Sequence, residues 1–180
     1  MRLFVALTIP DSVAASLMLI QGGVPGARWQ SREQLHLTLS FIGEVDGRDA
    51  AMIDDALAGI RAPGFTLQLH GVGQFGTGKL TQAHALWAGL RPHPALEHLQ
   101  RKVDTAIRRV GTPREAHKFT PHVTLARLHD ASSQDVADYL SVRGYFPSRT
   151  FLASRFVLFS SRASTGGGPY VVEDSYALSA

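Results

Sequence analysis

His36-Leu37-Thr38-Leu39 and His122-Val123-Thr124-Leu125 are two copies of one pattern, 86 residues apart in a chain of 180. On a β-strand successive side chains point to opposite faces. His36 and Thr38 therefore share one face, and Leu37 and Leu39 share the other. The same holds for His122 and Thr124 against Val123 and Leu125. The aliphatic face can enter a core while the polar face lines a cleft. Two copies separated by nearly half the chain predict two related lobes, each contributing one copy. If the lobes meet about a pseudo-twofold axis, the cleft holds two imidazoles and two hydroxyls facing each other.

The surrounding sequence supports that rhythm. Strands are predicted over Arg2–Ile9, His36–Val45, Phe65–Phe75 and Ala85–Leu90, with an extended piece at Trp29–Ser31. A helix is predicted from Asp11, as N-cap, to Ile20, and another from Gly47 to Ile60. In the second half, Leu96, Leu99, Val103, Ile107 and Val110 fall at helical spacing within Pro94–Val110. His122–His129 reads as a strand. Ser132 caps a predicted helix through Tyr139. Phe151–Ser161 and Tyr170–Leu178 read as strands joined by a turn at Gly166-Gly167-Gly168. The strands come in pairs, and helices do not follow every strand. This predicts an α+β fold with mainly antiparallel sheet. No linker or low-complexity stretch divides residues 1–180, so a single bilobal domain is expected.

Composition narrows the function classes. The chain is 44% hydrophobic and 18% charged, which argues against intrinsic disorder. It has no cysteine, which excludes thiolate nucleophiles, disulfides and zinc held by sulfur. The longest apolar stretch, Val13–Ile20, is far short of a membrane span. Pro10 and Asp11 break the N-terminal apolar run, so no signal peptide is expected. A cytoplasmic protein is the expectation. The net charge of +3 is uneven: residues 1–90 sum to −1 and residues 91–180 to +4. A modest positive field suits a phosphate-bearing substrate. It is not the dense basic stripe of a duplex-DNA binder.

The paired pattern suits phosphodiester chemistry without a metal. One imidazole must be neutral to take a proton from the attacking hydroxyl or water. The other must be protonated to give one to the leaving oxygen. An ordinary imidazole titrates near ~6.5, so both forms exist near neutrality. In-line displacement needs acid and base on opposite sides of phosphorus, and two lobes supply opposite sides. Each transfer is worth typically ~10²–10⁴ in rate. A single His-x-Thr on a strand is most often a half-buried structural pair. Two copies at matching places are much harder to obtain by chance, although an old duplication could keep them for packing.

At these residues the sequence resembles the 2H phosphoesterase superfamily, and within it the RNA 2′,3′-cyclic phosphodiesterases, also called the 2′-5′ RNA ligase or LigT-like family. The resemblance runs through Met1–Leu7, Arg28-Trp29, Leu35–Val45, Leu86–Leu90 and Phe119–Arg127. It implies two pseudo-symmetric lobes, each a mainly antiparallel sheet with helices on the outer side, and an active-site cleft between them. It implies metal-independent hydrolysis of RNA 2′,3′-cyclic phosphate ends to 2′-phosphomonoesters, with the reverse 2′-5′ joining of tRNA halves. His36 would be the proton donor and His122 the proton acceptor. Thr38, Thr124 and Arg127 would hold the phosphate. No cofactor and no protein partner are implied, and a monomer suffices.

Several residues stay open at this stage. Strict alternation puts Arg127 on the face of Val123 and Leu125, so it reaches the phosphate only if the strand twists or bulges after Leu125. Otherwise it is a surface cation. Phe4 could stack on a base, or pack in the core. Gly71–Gly76 matches a dinucleotide fingerprint, but a turn and a strand follow it instead of a helix. Gly73–Lys79 mimics a phosphate loop, but Leu80 replaces the hydroxyl residue. Both read as a glycine-rich hairpin. The eight histidines lack carboxylate partners at ligand spacing, so no metal is expected. Two other functions remain: a non-catalytic module binding RNA or a nucleotide 2′-phosphate, and a phosphodiesterase for small cyclic nucleotides.

Overall fold

The computed structural model describes residues 1–76, 84–112, 117–161 and 169–180. Among these residues nine strands form one sheet: β1 (Arg2–Thr8), β2 (Ala27–Trp29), β3 (His36–Glu44), β4 (Phe65–Phe75), β5 (Ala85–Leu90), β6 (His122–Leu128), β7 (Arg149–Ala153), β8 (Arg155–Ser161) and β9 (Tyr170–Ala177). Among the described residues four α-helices accompany them: α1 (Asp11–Leu19), α2 (Gly47–Ala58), α3 (Pro94–Arg109) and α4 (Ser133–Arg143). The order across the sheet is β7-β4-β5-β6-β3-β1-β8-β9, with β2 beside β6, and every strand pairing is antiparallel. The α+β expectation with mainly antiparallel sheet is met.

The two expected lobes are the two halves of this sheet, and their seam is narrow. β3 and β6 meet through one residue pair, Leu37 opposite Val123. Outward from the seam, β3-β1-β8-β9 mirrors β6-β5-β4-β7. Leu37 and Val123 are fully buried, and Leu39 and Leu125 are buried beside them. Helix α3 has the strongest amphipathic pattern, and its Leu96, Leu99, Val103 and Ile107 are all buried in the same core. It packs against α2 and β3, on the opposite half of the sheet from the strands that flank it in sequence.

Several predicted boundaries change. The N-cap of α1 is Pro10, and Asp11 lies in the first helical turn, where it ion-pairs with Arg32 at 2.5 Å. Phe151–Ser161 is two strands rather than one. The chain breaks at Ser154 because β7 pairs with β4 at one edge while β8 pairs with β1 in the other half. The last helix runs to Arg143, past Tyr139, and its predicted cap holds: the Ser132 hydroxyl accepts from the Asp135 amide at 3.0 Å. The turn expected at Gly166-Gly167-Gly168 lies outside the described residues.

The glycine-rich stretch has a packing reason. Gly73 sits opposite Trp87 across β4 and β5, and a Cβ there would meet the indole at 2.4 Å. Gly89 is held bare by the same ring and by the His70 carbonyl. These glycines let an indole lie flat on the sheet.

Candidate active site

The seam positions the two patterns. With Leu37 opposite Val123 in an antiparallel pair, His36 comes across from Thr124 and Thr38 from His122. All four polar side chains therefore leave the sheet on one face, away from the buried leucines. Each is half-buried. They line one cavity of about 600 Å³ together with Phe4 and Arg127. Every candidate named from the sequence is at this place.

The imidazoles are held alike. His36 Nδ1 lies 2.7 Å from the Gln34 carbonyl, and His122 Nδ1 lies 2.7 Å from the Thr120 carbonyl. A carbonyl only accepts, so Nδ1 carries the hydrogen in both rings and donates it. That leaves each Nε2 for proton exchange. The Thr38 hydroxyl donates to His36 Nε2 at 3.0 Å in the neutral ring. The carbonyl two residues upstream is thus part of each pattern, and neither tetrapeptide shows it.

Their surroundings differ. Phe4 lies 5.0 Å from the His36 ring, centroid to centroid, and Tyr170 meets it edge-on at 5.3 Å. Burial pulls the His36 pKa from 6.5 down to about 4; the Gln34 bond opposes this, while the charges of His122 and Arg127 add to it. His122 is lowered too, chiefly by burial, with its Thr120 bond opposing. Phe75 meets the His122 ring edge-on at 4.8 Å. Both rings are biased to neutrality, His36 more strongly.

Arg127 reaches the cleft by the bulge that the sequence required. Along β6, Leu86 pairs with Ala126 but Trp87 pairs with Thr124, so Leu125 is an extra residue. The extra residue resets the alternation and brings Arg127 to the face of Thr124. β3 does the same: Val5 pairs with Ser40 and Ala6 with Thr38, which makes Leu39 the extra residue. The burial sequences of the two strands match position by position, and the counterpart of Arg127 in β3 is Phe41. Phe4 is only 5% exposed and stacks on Phe159 at 5.2 Å. Its ring supports His36 and offers little face to a base.

Sequence reasoning did not find Arg2, Phe41, Phe75, His84 or Tyr170, which also line the cavity. Phe41 was findable, since superposing the two copies of the repeat puts it on Arg127. Arg2, Phe75 and Tyr170 come from other strands and His84 from the residue before β5, with no pattern of their own. Among the described residues there is no group of three or more His, Asp or Glu arranged to hold a metal ion. His93 caps α3, accepting from the Ala95 amide at 3.1 Å. No described helix is long and apolar enough to cross a membrane.

Residues 9–165 match the 2′-5′ RNA ligase superfamily. The chain belongs to this superfamily. Within it, an RNA 2′,3′-cyclic phosphodiesterase of Escherichia coli is 28% identical over 98% of this chain and 96% of its own length. One of Geobacillus stearothermophilus is 30% identical over 69% of this chain, which spans 41% of that longer relative. The crystal structure of E. coli LigT with 3′-AMP superposes with a TM-score of 0.78 at 27% identity, covering 98% of this chain and 97% of that one. This chain therefore shares its fold with that structure over nearly its whole length.

Proposed function

We propose that this protein hydrolyses RNA 2′,3′-cyclic phosphate ends to 2′-phosphomonoesters through its two imidazoles, residues 1–180 acting as one bilobal unit. The observation that carries the reading is the seam: two carbonyl-anchored histidines on one face, each across from the other pattern's threonine. A phosphorus atom held between the threonine hydroxyls has an imidazole on either side. Water attacks phosphorus from one side as its proton passes to the neutral Nε2. The bond to the 3′-oxygen breaks on the other side as that oxygen takes a proton from the protonated Nε2. By resemblance His36 is the donor and His122 the acceptor. Thr38 and Thr124 donate to the non-bridging oxygens, and the Arg127 guanidinium offsets their charge. The bound anion also raises the His36 pKa, because it cancels the field of Arg127 that helps to depress it.

The names of the relatives support the substrate class, and the modest positive charge fits it. With a 5′-hydroxyl in place of water as the nucleophile, the same acid–base pair joins two RNA ends through a 2′-5′ linkage, the 3′-oxygen leaving with the donor's proton. The test is incubation of a 2′,3′-cyclic-phosphate oligonucleotide with the protein in EDTA. A 2′-monoester is expected, with turnover falling at least ~100-fold in both His36→Ala and His122→Ala. A 3′-monoester product, or either variant near wild-type turnover, overturns the reading.

A further inference from the structure

Gln30 follows β2 and lies against the bulge of β6. Its amide donates to the Leu125 carbonyl at 2.8 Å, and its own carbonyl accepts from Gln21 Nε2 at 2.9 Å. Gln21 Nε2 also reaches the Leu125 carbonyl, at 3.4 Å. The backbone of Gln30 is therefore fixed to the extra residue between Thr124 and Arg127. Arg28 stands opposite Arg127 across the β2–β6 ladder. Cross-strand partners share a face, and so do residues two apart on one strand. Gln30 thus leaves the sheet on the side of Arg127, while Trp29 turns to the core beside Tyr139.

The side chain ends at the catalytic cavity, which Gln30 lines with His36, Thr124 and Arg127. It is only 5% exposed. Among the described residues the other buried polar side chains are Ser40 and Ser160, and neither lines that cavity. No described residue hydrogen-bonds the Gln30 carboxamide. A carboxamide carries two N–H donors and an acceptor oxygen, and leaving them unmatched under burial is unfavourable. The cavity is the side from which a partner can come. Beside a threonine hydroxyl and a guanidinium, that partner is an anionic oxygen, which accepts and never donates. The amide is also uncharged. A second cation at this corner would oppose the His36 imidazolium further, as Arg127 already does. A neutral donor adds a hydrogen bond without that penalty.

We propose that Gln30 is a further phosphate-contacting residue of the cleft, its carboxamide nitrogen donating to one non-bridging phosphoryl oxygen of the cyclic phosphate between Thr124 and Arg127. This rests on the proposed phosphodiesterase reading and adds to it a donor set in place by the backbone before substrate arrives. Charge gathers on the non-bridging oxygens as water adds to phosphorus, and a pre-placed donor strengthens there. The contact falls on one of the two non-bridging oxygens only, because Gln30 has no counterpart opposite it: residue 30 reaches β6 from β2, and β2 is the strand outside the mirrored order of the sheet.

The test is kinetic and stereochemical. In Gln30→Met, kcat/KM for a 2′,3′-cyclic phosphate should fall about 100-fold, the scale of one lost transition-state donor. The two diastereomers of a 2′,3′-cyclic phosphorothioate place sulfur, a weak acceptor, on one non-bridging position or the other. The Gln30→Met loss should persist on one diastereomer and shrink to within about threefold on the other. The urea midpoint of Gln30→Met should be no lower than that of the wild type, since an unmatched polar group is replaced by an apolar one of similar shape. Equal losses on both diastereomers together with a lowered midpoint mark a structural glutamine and overturn the proposal, as does a wild-type rate in Gln30→Met. If the wild-type protein turns over no cyclic phosphate, the phosphodiesterase reading fails, and the contact is judged by calorimetry with inorganic phosphate. Its Kd should then rise roughly tenfold in Gln30→Met, and an unchanged Kd overturns the contact by itself.

Discussion

Changing the pH of the assay tests the electrostatics of the cleft directly. Catalysis needs one imidazole protonated and the other neutral. Burial lowers the His36 pKa to about 4 and lowers that of His122 below 6.5. The profile of kcat/KM reports the unliganded enzyme. It should show a plateau between about 4 and the His122 value, then fall tenfold per pH unit. At pH 7.5 this leaves at least a roughly tenfold loss from the plateau; two undisturbed imidazoles near ~6.5 would lose only about threefold from their optimum. The limbs are the same whichever ring donates, and the two apparent values belong to the coupled pair. The kcat profile reports the complex, so it should move to higher pH as the bound anion favours both imidazolium forms. Initial rates on a cyclic-ended oligonucleotide from pH 3.5 to 8.5, fitted separately for kcat and kcat/KM, give both curves. A kcat/KM optimum at or above pH 6.5 would refute the assignment of burial as the dominant force on His36.

The same shift predicts a stability effect. The unfolded imidazole takes its proton near ~6.5 and the folded one only at about 4, so the unfolded state binds more protons in between. Stability contributed at pH 7 is therefore lost as pH falls from 6.5 through 4, by roughly 3 kcal/mol. Urea unfolding at pH 7 and pH 4 should show a loss smaller by about that amount in His36→Gln; an equal loss in both proteins would contradict it. In Arg127→Met, KM for the cyclic substrate should rise at least ~10-fold. A variant with wild-type KM would show that Arg127 holds no phosphate.

Much of the site was legible because strand alternation is a local rule. His36, Thr38, His122 and Thr124 could be placed on one face from their spacing alone. The need for a bulge before Arg127 could be stated, but its presence depends on the pairing of β6 with β5, which no local pattern encodes. The strand read over Phe151–Ser161 failed for a related reason. Its apolar run is continuous, yet its two ends pair with strands in different halves of the sheet. Phe4 was ambiguous in sequence because a core residue and a stacking residue look alike there; its burial under Phe159 and beside His36 separates them. The carbonyls of Gln34 and Thr120 carry no side-chain signature at all.

The placement of β8 has a bearing on how the enzyme is made. β8 and β9 complete the half of the sheet that carries His36, although they lie more than a hundred residues downstream of it. A nascent chain grown only as far as His129 already holds both histidines and both threonines. It has nothing to cover the far side of β1, and neither Phe159 nor Tyr170 to wall the pocket around Phe4 and His36. Premature termination would thus yield a fragment with its full set of reactive groups and no working centre.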